Sequence, residues 1–463
     1  MNRLERISRD LATGVPASVA TIMDRLGKKG FEAYIVGGCV RDAMLGRTPD
    51  DWDVTTNATP AQMKGAVGLP SRDTGLKHGT VTFIVDGETI ETTTFRTESG
   101  YSDSRHPDSI GFASTLVEDL SRRDFTVNAM AWSPETGIVD PFDGVADLER
   151  HVLRCVGDAN ERFAEDGLRV MRALRLASVH GLDIEEETAC AMHAKRMTLD
   201  AVSRERISVE LAKMMAAPDG QHLGAIIKQF PDIMFQIAPE LETTYGFAQD
   251  NPHHDRDCWT HMVDVMAGTD ADPELRLAAL LHDIGKPACK TMDDEGIAHY
   301  PDHATTGSRM AGTLLRRLKF PRKTVDEVTF LIRQHDSWPA PTLRSARRFL
   351  ARCGDETTAR KLLRLMRADR LAHAPGSIYG QLDDLDRFEP LMEAALQDRM
   401  AFKVADLEIG GNDLIALGWE PGPGLGAELE RLFDLVLSGD LPNERASLLA
   451  AVSQKPDGHA GRS

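Results

Sequence analysis

The sequence has no apolar run approaching the roughly 20 residues that a bilayer span requires. Its opening "MNRLERISRDLATG" lacks the apolar core of a secretory signal. Neither a membrane protein nor an exported one is expected, and the predicted location is cytoplasmic. Six cysteines are scattered from Cys39 to Cys353 without a CxxC pair, which speaks against a disulfide framework and against a zinc cage. Positive charge is in deficit, since 54 Lys and Arg face 72 Asp and Glu for a formal net charge of −18. A general polyanion binder is disfavoured. No internal repeat is found.

What is present points to a globular protein of several parts. At 463 residues the chain exceeds one ordinary core, and about three domains are expected. Val19, Ile22, Met23 and Leu26 recur with helical spacing, and Gly30 is placed to stop that helix. A short strand "FEAYIV" runs into Gly37-Gly38 and then a brief helix that Gly46 can cap. Farther on, "TVTFIV" and "ETIETTTF" flank Asp86-Gly87, a pair that favours a tight hairpin. The segment "TESGYSDSRHPDS" from Thr97 to Ser109 reads as a mobile loop, and the last residues "SQKPDGHAGRS" read as a frayed tail. From Asn160 onward the pattern is helical.

The stretch "YIVGGCVRDAMLGRTPDDWDVTT" concentrates chemistry. Asp51 and Asp53 stand at i and i+2 before "VTT", so on a strand both carboxylates share one face. Such a pair can hold divalent ions for in-line phosphoryl displacement, and oxygen ligands with open positions suit Mg²⁺. Glu91 on the later hairpin strand is the candidate third carboxylate, for metal support or for accepting a proton. The glycine turn followed by a helix lets backbone N–H groups approach an anion, and Arg41 is the candidate grip on a triphosphate. Asp42 is expected to be structural.

The order GGxVRD, then DxDxxT, then "RRDFTVNAMA" at Arg122 to Ala131 resembles the tRNA nucleotidyltransferases of the bacterial and eukaryotic class. These are CCA-adding enzymes, related to bacterial poly(A) polymerases and more distantly to DNA polymerase β. The likeness continues through "DPFDGVADL", "EDGLRVMRALR" and "RERISVEL", over roughly the first 215 residues. It implies that Arg123 and Asp124 contact the nucleotide, Asp124 towards the ribose hydroxyls, and that the substrates are CTP, ATP and the 3′ end of a tRNA.

In "EDGLRVMRALR", Asp166, Arg169, Arg172 and Arg175 recur every three residues, a stripe along one helix. Cytosine and adenine each present an amino donor beside an unprotonated ring nitrogen, whereas uracil and guanine show the reverse. A carboxylate next to a guanidinium therefore accepts C and A alike, and leaves the other bases with mismatched partners. The resemblance implies that Asp166 and Arg169 form this protein template. Arg172 and Arg175 are then expected to face phosphates or to fix the pair.

A third constellation, "CWTHMVDVM", "LAALLHDIGKP", "HATTG" and "FLIRQHDSW", mixes imidazoles and carboxylates on helical segments. It suits a divalent transition metal or Mg²⁺ and resembles the HD superfamily of metal-dependent phosphohydrolases. That likeness implies His261, His282, Asp283 and Asp336 as ligands, with His303 and His335 as further candidates. Between Ala340 and Ala372 nine Lys and Arg face only Asp355, Glu356 and Asp369, a candidate patch for a tRNA arm.

The expected fold is α+β. A polymerase-β-like nucleotidyltransferase head with a small mixed sheet (1–150) precedes an all-α base-reading neck (151–218), a helical body with the HD site (219–400) and a helical tail (401–463) for the tRNA elbow. Expected function is template-independent addition of C, C and A by two-metal nucleotidyl transfer, with HD hydrolysis beside it. A poly(A) polymerase, an A-only or CC-only enzyme, and an HD phosphohydrolase with an inactive head stay open on the sequence. No membrane partner is expected, and the sequence leaves the oligomeric state undetermined.

Overall fold

Apolar spacing fixes the first elements. Val19, Ile22, Met23 and Leu26 are all buried on the helix Ala17–Gly27, and Gly30 beyond it takes a φ of 80°. In the computed structural model, residues 3–49, 51–99, 109–253, 255–374, 379–397 and 403–453 are described. The chain divides into two compact units, Met1–Pro239 and Glu240–Ser463.

The first unit opens with nine strands: β1 (Ala33–Val36), β2 (Val54–Thr56), β3 (Ser71–Gly75), β4 (Thr80–Val85), β5 (Glu88–Thr94), β6 (Arg96–Ser99), β7 (Ser109–Phe112), β8 (Ala131–Ser133) and β9 (Gly137–Val139). Seven of them form one sheet in the order β3-β4-β5-β2-β1-β8-β9. Only β2 and β5 pair in parallel, so the sheet is mixed. The β4–β5 hairpin turns at Asp86 and Gly87, both with positive φ, as that dipeptide predicts. β6 and β7 pair as a separate ribbon, so the stretch expected to be a loop from Thr97 begins and ends as strand. Residues 100–108 within it and 454–463 of the expected tail lie outside the described residues.

Beneath the sheet, Tyr34 and Val36 of β1 and Ala131 of β8 pack with Phe95, Ala129, Val156 and the helix residues Leu116 and Leu120. Burial of each larger apolar side chain contributes about 1.5–3 kcal/mol. The helix Leu116–Ser121 starts at a capping box, in which Glu118 N–H donates to Thr115 and the Glu118 carboxylate accepts from Thr115 N–H. Its buried Asp119 accepts from Thr55 Oγ1 and from the backbone N–H of Arg96. This helix is thereby tied to β2 and β6.

Helices Ala159–Glu165, Leu168–His180 and Arg204–Met215 complete the region that follows the head, and Leu168–His180 packs against both Arg204–Met215 and Gly220–Gln229. Leu223, Ile226 and Ile227 of Gly220–Gln229 are buried there. The segment expected to open the body at 219 therefore belongs to the first unit, and the division falls at 239/240. In the second unit, helices Cys258–Ala267 to Tyr379–Gln397 form one bundle, and the tail has a small core of its own built from Leu407, Ile409, Leu414, Leu432, Val436 and Leu448.

One close approach sets the geometry between two helices of the first unit. A Cβ at Gly167 would lie 2.6 Å from the carbonyl oxygen of Thr198 and 2.7 Å from its carbon. Replacing Gly167 by Ala should cost about 1–3 kcal/mol by overpacking. The check is urea unfolding, where a lowered midpoint at constant slope is expected and an unchanged midpoint would contradict the contact.

Candidate active site and metal centre

Asp53, Glu91, Arg123, Asp124, Asp166, Arg169, Arg172 and Arg206 line one cavity of about 370 Å³ in the first unit. Asp51 and Asp53 immediately precede β2 rather than lying on it. The Asp53 carbonyl accepts from Val36 N–H at 3.1 Å, which anchors it to the end of β1. Because Val54 pairs with Thr92 in the parallel β2–β5 ladder, Glu91 comes level with Asp53. Crowding by protein, then the Glu91 and Asp51 carboxylates, raise the Asp53 pKa above the ordinary range, against the pull of Arg123. This excess of negative charge, facing an open cleft, fits a cation. Asp51 is exposed beside it and is not part of the cavity wall.

Two of the expected anion-binding groups are engaged elsewhere. Gly37 takes a φ of 83°, but its N–H donates to the Met130 carbonyl at 3.0 Å, so the expected role of that N–H is not available in this arrangement. A Cβ on Gly37 would stand 2.7 Å from Arg123 Nη1, so the glycine makes room for that guanidinium. Gly38 starts the short helix Gly38–Met44. Arg41 is buried, donating from Nη1 to Asn128 Oδ1 at 2.5 Å and from Nε to Asp42 Oδ1 at 2.9 Å, and burial lowers its pKa. It does not reach the cavity wall, because the first turn of its helix directs it into the protein. Asp42 accepts from Nε and Nη2 of Arg41.

The ribose contact expected of Asp124 also meets an occupied carboxylate. Its Oδ1 accepts from Phe125 N–H and Asn128 Nδ2, and its Oδ2 accepts from Nε and Nη2 of Arg172 at 2.8 and 2.5 Å. These four bonds fill the roughly four acceptor positions of a carboxylate. Burial opposes the charge, but Arg172 and Asn128 outweigh it and hold the pKa well below the usual range. Asp124 instead fixes Arg172.

Asp166 is not on the arginine helix, as the three-residue spacing suggested. It ends the helix Ala159–Glu165 with extended backbone, and its Oδ1 accepts from Leu168 N–H, which caps Leu168–His180. Its partner is Arg206, whose Nη2 donates to Oδ2 at 2.7 Å. Arg169 is on the helix and donates to Glu165 at 2.5 Å and to the Arg122 carbonyl at 3.2 Å. Arg175 pairs with Glu210 and is not part of the cavity wall. Arg206 was not singled out from sequence. It stands in the quoted "RERISVEL", one turn into the helix Arg204–Met215, and only the fold brings it to Asp166.

A second cluster lies in the other unit. His261 comes from Cys258–Ala267, His282 and Asp283 follow Pro273–Leu281, His303 begins His303–Arg317, His335 caps Arg322–Gln334, and Asp369 lies on Glu356–Leu371 with His373 just beyond. Ligand-type atoms of His261, His282 and Asp283, of His261, Asp369 and His373, and of Asp283, His303 and His335 gather within 4.8 Å of one another in each group. Among the described residues neither Asp283 Oδ1 nor His282 Nε2 finds a well-directed hydrogen bond, although both are buried, whereas Asp283 Oδ2 is met by Lys286 Nζ at 2.6 Å. A buried polar atom without a partner costs about 1–3 kcal/mol, and this donor set fits a divalent metal. Burial alone would depress the His282 imidazole, but Asp283 and Asp369 outweigh it and hold its pKa at about 10.

Asp336 is not part of this cluster. Its side chain is 53% exposed and stands 3.8 Å from Arg370. Adjacent residues at a helix end diverge by about 100°, so His335 points inward and Asp336 outward. The place expected for it is taken by Asp369, whose Oδ1 is 3.0 Å from His261 Nε2. Asp369 and His373 form a four-residue spacing that the surrounding arginines obscured.

In the arginine-rich stretch, the part on the helix Glu356–Leu371 is largely neutralised. Arg360 pairs with Glu356 and Glu393, Lys361 with Asp272 and Glu327, Arg364 with Asp270, and Arg367 with Asp386 and Glu389. Arg370 stacks 4.6 Å over the Trp338 ring. Acids distant in sequence supply most of these partners, so the helix Glu356–Leu371 does not present the open basic face expected for a tRNA arm.

The sequence matches three known families in succession. The Poly A polymerase head domain matches residues 33–154, the probable RNA and SrmB-binding site of polymerase A matches 181–226, and the HD domain matches 258–374. A CCA-adding enzyme of Limosilactobacillus fermentum is 33% identical over 439 residues, covering 94% of this chain and 95% of its own. That of Latilactobacillus sakei is 33% identical over 450 residues, covering 94% and 97%. The crystal structure of the Bacillus stearothermophilus CCA-adding enzyme in complex with CTP superposes with a TM-score of 0.69 at 26% identity, over 98% of this chain and 97% of that one. No described helix is long and apolar enough to cross a membrane. With identity sustained over nearly the whole length of both partners, the chain belongs to the CCA-adding enzymes.

Proposed function

We propose that the chain completes the 3′ end of tRNA, adding C, C and A from CTP and ATP without a nucleic-acid template. The observation that carries this reading is the placement of Asp53, Glu91, Asp166 and Arg169 around one cavity. Bound by Asp51 and Asp53, Mg²⁺ would polarise the α-phosphate and offset charge on the departing pyrophosphate. Glu91 adds negative charge beside that pair and is the nearest candidate for the proton of the attacking 3′-hydroxyl. Arg123 and Arg172, held by Asp119 and Asp124, meet the triphosphate in fixed orientations.

Base choice falls to Asp166 and Arg169. Asp166 accepts from the exocyclic amine of C or A, and Arg169 donates to the neighbouring ring nitrogen. Arg206 and Glu165 keep the two side chains apart until a base bridges them. The Asp/His cluster of the second unit is a metal centre for phosphate-ester hydrolysis, and its many imidazoles favour a transition metal over Mg²⁺. The helical tail is assigned to the tRNA elbow.

Incubation with tRNA lacking its 3′ end and each labelled NTP, alone and combined, tests the activity. Two C followed by one A is expected, whereas open-ended A tails or arrest after CC would replace this reading. Asp53→Ala removes several kcal/mol of transition-state stabilisation, so addition should fall on the order of a thousandfold, measured as single-turnover rate on the same tRNA. Asp166→Ala should erode discrimination of C and A against U and G by roughly 10-fold or more, since each mismatched polar contact is worth about 1–3 kcal/mol. Competition between NTPs reads this directly, and unaltered selectivity would remove Asp166 from the template.

A further inference from the structure

Asn128 does not line the cavity of the first unit, yet its side chain joins two parts of the chain that build it. It ends the short turn Thr126–Asn128, which follows Arg123 and Asp124, and only 6% of it is exposed. Its Oδ1 accepts from Arg41 Nη1 at 2.5 Å, and its Nδ2 donates to Asp124 Oδ1 at 3.1 Å. A guanidinium only donates and a carboxylate only accepts, so a single orientation of the amide satisfies both neighbours. Each bond has an ionised partner, which makes it stronger than a neutral one and costlier to break.

The contacts continue on either side of Asn128. Arg41 Nη2 lies 3.6 Å from the place a Cβ on Gly38 would take, and the Asn128 carbonyl oxygen lies 3.6 Å from the corresponding place on Gly37. The glycine turn is thus seated on Asn128 and on Arg41 of the helix Gly38–Met44. On the other side, Asp124 Oδ1 is held by Phe125 N–H at 2.9 Å and by Asn128, while Oδ2 accepts from Nε and Nη2 of Arg172. The two donors at Oδ1 set the plane in which Oδ2 is presented. Arg172, at the end of this chain of bonds, lines the cavity.

We propose that Asn128 is a positioning residue for the incoming nucleotide. Acting through Asp124, it fixes the Arg172 guanidinium against the triphosphate without touching the nucleotide itself. The proposal rests on nucleotide addition at this cavity.

Steady-state kinetics of the full-length chain test it, with CTP on tRNA lacking its 3′ end and ATP on tRNA lacking only the final A. Asn128→Asp keeps the size of the side chain and turns the donor facing Asp124 into an acceptor. The KM for CTP and for ATP should rise roughly tenfold or more. The KM for tRNA and the preference for C over U, which belongs to Asp166 and Arg169, should stay within about twofold. Asn128→Ala removes both bonds without adding charge and should move the same constants in the same direction, so it decides where Asn128→Asp does not fold. In an Arg172→Lys background Asn128→Asp should add little, because its effect passes through Arg172. Unchanged nucleotide KM values in a folded variant overturn the proposal, as does full additivity with Arg172→Lys. Equal losses in tRNA binding and base preference, or failure of both variants to fold, make Asn128 a residue of the fold alone and also overturn it. An unaltered chain that adds no nucleotide overturns the reading beneath it, which keeps the two failures distinct.

Discussion

The contact on which the first unit depends is the pair formed by the buried Asp124 with the half-buried Arg172. Asp124 sits on the segment between the helix Leu116–Ser121 and β8, and Arg172 sits on Leu168–His180. Their bidentate bond joins the sheet to the helix that carries Arg169, so Asp53 just before β2, Glu91 on β5 and the base-reading residues share one wall. A partly buried pair of this kind is weak evidence for stability, because desolvation offsets much of its attraction. Its value here is register. With all acceptor positions of Asp124 filled, Arg172 has one orientation, and the spacing between the metal-type carboxylates and the Asp166/Arg169 pair follows from it.

Compensation of charge separates structure from function throughout the molecule. Asp147 is fully buried, yet it accepts from Thr126 and pairs with Arg150 and Arg154, and nothing is left over for a ligand. Asp119 is satisfied in the same way by Thr55, Arg122 and the Arg96 backbone. Asp53 differs, because two carboxylates flank it and Arg123 opposes them alone among its charged neighbours. Asp283 differs more sharply: Lys286 Nζ meets its Oδ2 at 2.6 Å, whereas its buried Oδ1 has only the imidazoles of His303 and His335 near it. In a low-dielectric interior an uncompensated oxygen is expensive, so its persistence marks a place completed by something other than the chain.

The sheet, its hairpin turn and the two metal-type motifs were legible in sequence because each is local. Asp86-Gly87 forms its turn from its own backbone preferences, and the alternation of β4 and β5 is written in neighbouring residues. Asp51, Asp53, His282 and Asp283 announce themselves by adjacency. The misread residues share the opposite property. Arg41 and Asp124 look available in the sequence, and only the fold shows Asn128 and Arg172 occupying them. On the sequence Asp166 extends a helical stripe, but its own backbone is extended and separates the two helices there. Asp336 follows a histidine as Asp283 does, yet the helix end turns it to solvent, while Asp369 arrives from over thirty residues farther along the chain.

The arginine-rich stretch shows why the sum of charges was a poor guide. Counted along the chain, residues 340–372 look like a basic patch within an acidic protein. In space Arg360, Lys361, Arg364 and Arg367 meet Asp270, Asp272, Glu327, Asp386, Glu389 and Glu393, all outside that stretch. Exposed ion pairs of this sort contribute about 0–1 kcal/mol each, so they add little stability, but they remove the local field that would attract a phosphate backbone. The cationic groups lining the cavity of the first unit answer to a different geometry. Arg123 and Arg172 each have a carboxylate beside them and still border open space. Attraction for a triphosphate therefore resides in a few arginines whose positions are fixed by buried acids, which is how a chain of net charge −18 can hold an anionic substrate.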